Sequence, residues 1–472
     1  MPLQHKWIGA SAIALAIGLT ACSGGGPASA PAVPPVATPT PPPPPPPPPT
    51  FVGAVYVGTN NFGDAGNYVV AFGRSADGSL GAIDAYPTGG TGRGVFRDAN
   101  GPPRLNPLIS EDSLIAIEER YLLVVNAGSN TITSFAIQAD FSLRRVDQEA
   151  SGGTSPVSLA HRNGLVYVAN ADADGVFSGA ADQSGNVAGL RIDLATGQLS
   201  PIAGSTRALG VRPSDLEFSL DGRHLLVSAS NAGSATLAGR STAELSSFGL
   251  LPDGTLTATP SGTGASTLPG NAAGRNLPTA IGMETFTREG RQLVMVAEAR
   301  EYRPDGRPGA LAEGQTGSVS TWEIAANGAL LPRSLDVLAG PTRSSGPTGT
   351  GWIAIGPPYD LFYVSSSTGA AISVFGARDD GTTSLVDIVA RGGAANPGAA
   401  NPLAQADGFV DLVITPFADG PYLYQLLGLK GSVAQFDVDT LTYNISLRQV
   451  ARSGLLPLDN LQGIASVSRR AP

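Results

Sequence analysis

Leu122-Leu123-Val124-Val125-Asn126-Ala127-Gly128-Ser129-Asn130-Thr131-Ile132-Thr133-Ser134-Phe135-Ala136-Ile137 reads as two β-rich runs around a turn of small residues. Aliphatic and β-branched side chains fill both runs, and the Asn-Ala-Gly-Ser-Asn centre supplies turn formers. Residues 361–375 (LFYVSSSTGAAISVF) and 422–436 (YLYQLLGLKGSVAQF) repeat the pattern. About seven copies occur after Phe51, and a strand unit that cannot bury its own faces must stack on its copies. The units open at residues 51, 106, 156, 213, 278, 347 and near Asp407.

Each unit reads as four short strands. Asn163-Gly164, Asp221-Gly222, Glu289-Gly290 and Asp419-Gly420 join first to second strands. Asp77-Gly78, Asp253-Gly254, Asn327-Gly328 and Asp380-Gly381 join third to fourth. Such dipeptides accept the positive φ that two-residue hairpins need. The expectation is an all-β, seven-bladed propeller of four-stranded antiparallel blades over residues 51–472. The first unit starts on its second strand, Val55-Tyr56-Val57, so Leu461-Gln462-Gly463-Ile464-Ala465-Ser466 is expected to supply its inner strand. A ring closed this way leaves no open sheet edge.

Residues 1–21 read as a secretory signal: Lys6, then an apolar run from Trp7 to Ala21. Leu19-Thr20-Ala21-Cys22 resembles a bacterial lipobox, and Cys22 is the chain's one cysteine. That resemblance implies a lipid-bearing Cys22, a membrane partner and, with Ser23 following, the outer membrane of a Gram-negative-type envelope. Residues 22–50 form a tether ending in nine prolines, Pro41 to Pro49, a run suited to polyproline II. One cysteine excludes a disulfide framework within the body. The formal net charge of −9 disfavours a nucleic-acid partner. No motif implies a cofactor or a metal, and the body is expected to be monomeric.

Connections between second and third strands, and between blades, are long, whereas the other turns are short. In an up-and-down blade the long connections share one face. Binding residues concentrate in long loops on a rigid scaffold, so the expected site is the loop-rich mouth of the central channel. Arginines there could hold a small anionic ligand bidentately. The ligand-binding candidates are Arg93, Arg207, Glu298 and Arg343.

Residues 106–114 (NPLISEDSL), 125–130 (VNAGSN), 151–153 with 156–159, and 204–207 (GSTR) resemble lactonase-type seven-bladed propellers. That group includes 6-phosphogluconolactonase-like and carboxymuconate-cyclase-like proteins. The resemblance covers nearly all of the chain after Phe51 and implies hydrolysis or formation of a lactone, here a small anionic or sugar-derived one. It also implies a catalytic histidine near an inner-strand start. Only His161 and His224 occur in the body, each beside a short turn on the opposite face. A carboxylate could act as base instead, with Asp407, Asp215 and Glu217 as candidates and Arg212 holding an oxyanion. Whether the chain is an enzyme is thus left open, against a non-catalytic propeller that binds a ligand, a glycan or an envelope protein.

Overall fold

The computed structural model describes residues 51–468 apart from 64–65, 95–107, 172–184, 231–243, 267–274, 303–314, 357–360, 368–369, 392–407, 416–419, 440, 443 and 458–460. The expected signal, lipid site and tether lie outside the described residues. So do Asp407, the Asp419 side of one turn, and most of the long loops.

The described residues form seven antiparallel sheets arranged as blades. Blade 1 contains β1 (Gly53–Gly58), β2 (Tyr68–Arg74) and β3 (Leu80–Pro87). Blade 2 is β4 (Leu114–Ile117) to β7 (Leu143–Ala150), with β5 (Tyr121–Asn126) and β6 (Thr131–Ile137) between. The other inner strands are β8 (Pro156–Arg162), β13 (Pro213–Phe218), β17 (Leu277–Arg288), β21 (Thr350–Gly356) and β25 (Phe409–Ile414), for blades 3 to 7. Each packs against the inner strand of the next blade. β29 (Ile464–Ser468) pairs with β1 along Val57↔Ile464 to Gly53↔Ser468 and supplies the missing inner strand of blade 1. The ring is closed as expected, with the closing strand starting three residues later than Leu461.

The turns follow their sequence. Asn163 and Gly164 have φ of 49° and 78°, and Glu289 and Gly290 have 45° and 74°, the double positive-φ pattern of tight hairpins. At the turns between third and fourth strands, the carboxylates of Asp77, Asp253 and Asp380 accept the N–H of Ser79, Thr255 and Thr382. Blade 2 uses Asp140-Phe141, and Phe141 takes a φ of 66° without being glycine. One departure from four simple strands occurs in blade 3, where the outer strand is split into β11 (Leu199–Pro201) and β12 (Arg207–Ala208). Gly204 turns the chain there with a φ of 73°. The Ser205 hydroxyl accepts the Gly189 N–H at 2.9 Å, taking over a ladder bond on β10 (Asn186–Ile192).

Blades are stitched by a recurring bond. A tyrosine on the second strand of one blade donates to the carbonyl at the outer turn of the next. Tyr56 reaches Phe141 at 2.9 Å, Tyr167 reaches Gly254 at 2.7 Å and Tyr424 reaches Gly78 at 2.7 Å. Burial raises all three phenol pKa values, that of Tyr167 to about 12, so the hydroxyls stay protonated donors.

Candidate functional site

The seven inner strands face the ring axis with one edge each, and edge amides need partners. In this ring carboxylates provide them. Asp215 on β13 accepts from Ser158 Oγ of blade 3 at 2.9 Å, from the Leu216 N–H at 2.8 Å, and from the Met283 N–H of blade 5 at 3.0 Å. Glu284 on β17 meets the Ile355 amide of blade 6. Asp411 on β25 accepts from the Leu412 N–H at 2.9 Å and meets the Ile464 amide of blade 1. The acids therefore form a belt that links blade to blade around the channel.

The chain just before β4 adds two more. Residues 108–112 lead into β4 of blade 2 and cross the mouth on the face where inner strands begin. Ser110 Oγ donates to the Val157 carbonyl at 2.8 Å, and its own carbonyl accepts from Trp352 Nε1 at 2.9 Å and Gln462 Nε2 at 2.8 Å. The Asp112 carbonyl accepts the Leu159 N–H at 3.0 Å. Ile109 packs with Leu277, Ile281 and Ala299 of blade 5. This stopper thus touches blades 1, 3, 5 and 6, and blade 4 through Arg212, which donates to the Leu108 and Ile109 carbonyls. Ile109 and Asp112 have φ of 50° and 53°, and for a β-branched residue that is a strained backbone held by its surroundings.

Beneath the stopper lies a cavity of about 200 Å³, lined by Glu111, Asp112, Glu284 and Asp411 and by apolar residues of β17, β21 and β25. Glu111 Oε1 accepts the Ile353 N–H at 2.8 Å. Its Oε2 is buried with no hydrogen-bond partner. Burial, reinforced by neighbouring carboxylates, holds Glu111, Asp215, Glu217 and Asp411 well above the usual carboxylate range. Burial likewise lifts Asp112 to about 7 and Glu284 to about 8. Among the described residues, no Lys, Arg or His lines the cavity, and no three Asp, Glu, His or Cys side chains are grouped as direct ligands of a metal ion.

Of the sequence candidates, Asp215, Glu217 and Arg212 lie around this channel. Arg212 is 1% exposed; it donates to the carbonyls of Leu108 and, at 3.3 Å, Ile109, and to Ser230 Oγ at 3.0 Å. Its guanidinium therefore clamps the stopper's main chain. Glu217 is close enough to Glu284, Asp112 and Asp215 for each to raise its pKa. The remaining candidates are elsewhere. Arg93 donates to Ser155 Oγ at 2.9 Å between blades. Arg207 lies on the outer strand β12, bonded to the Leu256, Gly204 and Thr206 carbonyls. Arg343 is exposed. Glu298 is buried in a separate ionic network, 2.5 Å from Arg300, with Asp336 bridging Arg300 at 3.0 Å and Arg275 at 2.6 Å.

Both histidines occupy the short-turn face. His161 Nε2 accepts the Gly164 N–H at 3.0 Å across its turn, and the His224 ring abuts Gly328 of blade 5. Burial lowers both pKa values. Glu111, Asp112, Glu284 and Asp411 were not singled out as site residues from sequence, although each lies on or just before an inner strand, as Asp215 does.

No family model and no curated protein matches the chain. Solved structures share its fold. The Pseudomonas aeruginosa periplasmic gluconolactonase PpgL is 17% identical with a TM-score of 0.56, over 88% of this chain and 99% of its own. A Bacteroides fragilis protein with a provisional 6-phosphogluconolactonase assignment is 15% identical with a TM-score of 0.52, over 88% and 98%. A Lactobacillus plantarum protein is 14% identical with a TM-score of 0.55, over 88% and 99%. At these identities the likeness establishes the fold.

Proposed function

We propose that this propeller, whose fold is that of the 6-phosphogluconolactonase-like proteins, is a cell-envelope hydrolase that opens a small, neutral, sugar-derived lactone in its acid-walled channel. The observation that carries the reading is the pair of cavity-lining carboxyl groups, Asp112 and Glu284, raised to about 7 and about 8. Two carboxyl groups tuned near neutrality suit general base and general acid roles. Asp112, ionised first, takes a proton from water as the water oxygen bonds to the lactone carbonyl carbon. The tetrahedral adduct collapses, the ring C–O bond breaks, and Glu284 protonates the departing alkoxide. The product is the open hydroxy acid, and the two carboxyl groups exchange protons with solvent to reset. Acidic walls with no cationic lining among the described residues favour a neutral lactone over an anionic one. The likeness in fold to the periplasmic gluconolactonase PpgL agrees with this substrate class.

The test is hydrolysis of neutral aldonolactones by the purified chain. Activity should peak between pH 7 and 8, and Asp112→Asn and Glu284→Gln should each lower kcat by about 10²–10⁴-fold. Turnover unaffected by either change would end the hydrolytic reading. The second reading, a propeller that binds a ligand, glycan or envelope protein without catalysis, draws on the carboxylates' hydrogen bonds to inner-strand amides. A cavity of about 200 Å³ also falls below the roughly 300–1,000 Å³ usual for ligand pockets. The lipobox supports placing the body at a membrane through lipid on Cys22; Cys22→Ser should move the protein from the membrane fraction to the soluble fraction.

A further inference from the structure

The long loops predict a site at the loop-rich mouth, yet that end of the channel is shut. Leu108, Ile109, Ser110 and Glu111 of the stopper are buried, as are Arg212, Trp352 and Gln462, which hold the stopper's carbonyls. The carboxylates beside it are sealed too: Asp215 and Asp411 are 0% and 3% exposed. Burial then relaxes toward the short turns. Glu217, two residues beyond Asp215 on β13, is part-exposed, and so are Glu284 on β17, Ile355 on β21, and Val413 and Ile414 on β25. Asp112, which ends the stopper, is part-exposed and lines the cavity. The cavity wall descends β25 from Asp411 to Ile414, the strand's last residue, a span of about 10 Å at ~3.3 Å per residue. On β21 it reaches Ile355, beside the strand end at Gly356. The volume therefore extends away from the long loops.

We infer that ligand reaches Asp112 and Glu284 through the short-turn face of the ring, and that Ile355 and Ile414, where β21 and β25 run out on that face, determine which ligands pass. The stopper is then the closed end of a blind channel. Aliphatic walls beside Glu217 and Glu284 suit a ring with a C–H face and hydroxyl edges. Carboxyl groups exchange hydrogen bonds with hydroxyls, and isoleucine covers the C–H face. An anion would find no cationic partner among the described cavity-lining residues, and its lost hydration would go uncompensated. The inference rests on the hydrolytic reading for what passes and deepens it. The passage itself follows from burial and strand direction, and would serve equally a ligand that is bound without reaction.

The experiment is thiol labelling of the full chain carrying Cys22→Ser, which removes its one native cysteine. Methyl methanethiosulfonate, a small neutral reagent, is the probe, and mass spectrometry follows its rate at pH 8. Asp112→Cys places a thiol at the closed end of the channel; Ser110→Cys places one inside the sealed stopper. The Asp112→Cys thiol should react on the order of 10²-fold faster, because a sealed thiol reacts only through local opening. Adding Ile414→Trp to plug the short-turn end should slow it on the order of tenfold. Ala354→Cys, which also lines the cavity, replaces Asp112→Cys if that variant does not fold, and Ile355→Trp is the second plug. Labelling that the plug leaves unchanged overturns the proposal, as does a Ser110→Cys thiol that reacts as fast as the channel thiol; ligand then enters past the stopper. Labelling needs no turnover, so a plug that slows it in a chain that opens no lactone ends the hydrolytic reading and leaves the entrance standing. Lactone turnover that persists when the plug has no effect does the reverse.

Discussion

At the scale of single residues, the channel is organised by what each carboxylate accepts. Asp215 carries three hydrogen bonds from three blades, and Leu216 keeps a second acceptor in Ser158 Oγ at 3.2 Å, so Asp215→Ala strands the Ser158 hydroxyl and the Met283 amide and should cost several kcal/mol, at about 1–3 for each unsatisfied group. Denaturant unfolding measures it. Gly282→Ala must displace Glu111 or the Gly351 carbonyl, 2.8 Å from the new methyl, and should cost about 1–3 kcal/mol. The raised carboxyl pKa values also set a pH dependence. A carboxyl whose folded pKa exceeds its unfolded value binds protons more tightly when folded. Its stabilising contribution is therefore complete below the unfolded value, about 4, and is lost as pH rises from there through the folded value. For Asp112 and Glu284 that loss runs up to about 7 and about 8. The unfolding temperature should therefore fall from pH 5.5 to pH 8.5, and Glu284→Gln should flatten that fall. A flat wild-type profile would contradict the raised values.

At the scale of elements, strands and turns were legible because their causes are local. Asn163-Gly164 and Glu289-Gly290 adopt the backbone their residue types favour. The inter-blade tyrosine bond was not legible, since Tyr167 and Gly254 are 87 residues apart. Nothing in the alternation of a strand says which turn its hydroxyl will meet. Tyr167→Phe should remove that donor, leave a buried carbonyl unmatched and destabilise by about 1–3 kcal/mol. The split outer strand of blade 3 has the same origin: Ser205 reads as an ordinary loop serine until its hydroxyl is seen replacing a ladder bond to Gly189.

At the scale of the whole molecule, closure depends on five residues. β29 covers the inner edge of β1, and Arg74 donates to Ser468 Oγ at 2.8 Å across that seam. Deletion of residues 464–472 should expose the edge of β1, abolish cooperative unfolding and promote association through the freed edge. Light scattering and a thermal scan would register both. By itself, the sequence determined the seven repeats, the turn chemistry and the strand that closes the ring, because these follow from short-range periodicity, positive-φ residues and one unpaired unit. It also singled out Asp215, Glu217 and Arg212. Only the tertiary structure decided that Glu111 and Asp112 would join Glu284 and Asp411 in one cavity, and that Arg212 would clamp a stopper at its mouth. Glu111 meets Ile353 across 242 residues. Convergence at the axis is set by how blades stack and where one connection crosses, and by burial that raises the acids' pKa values only once they are together.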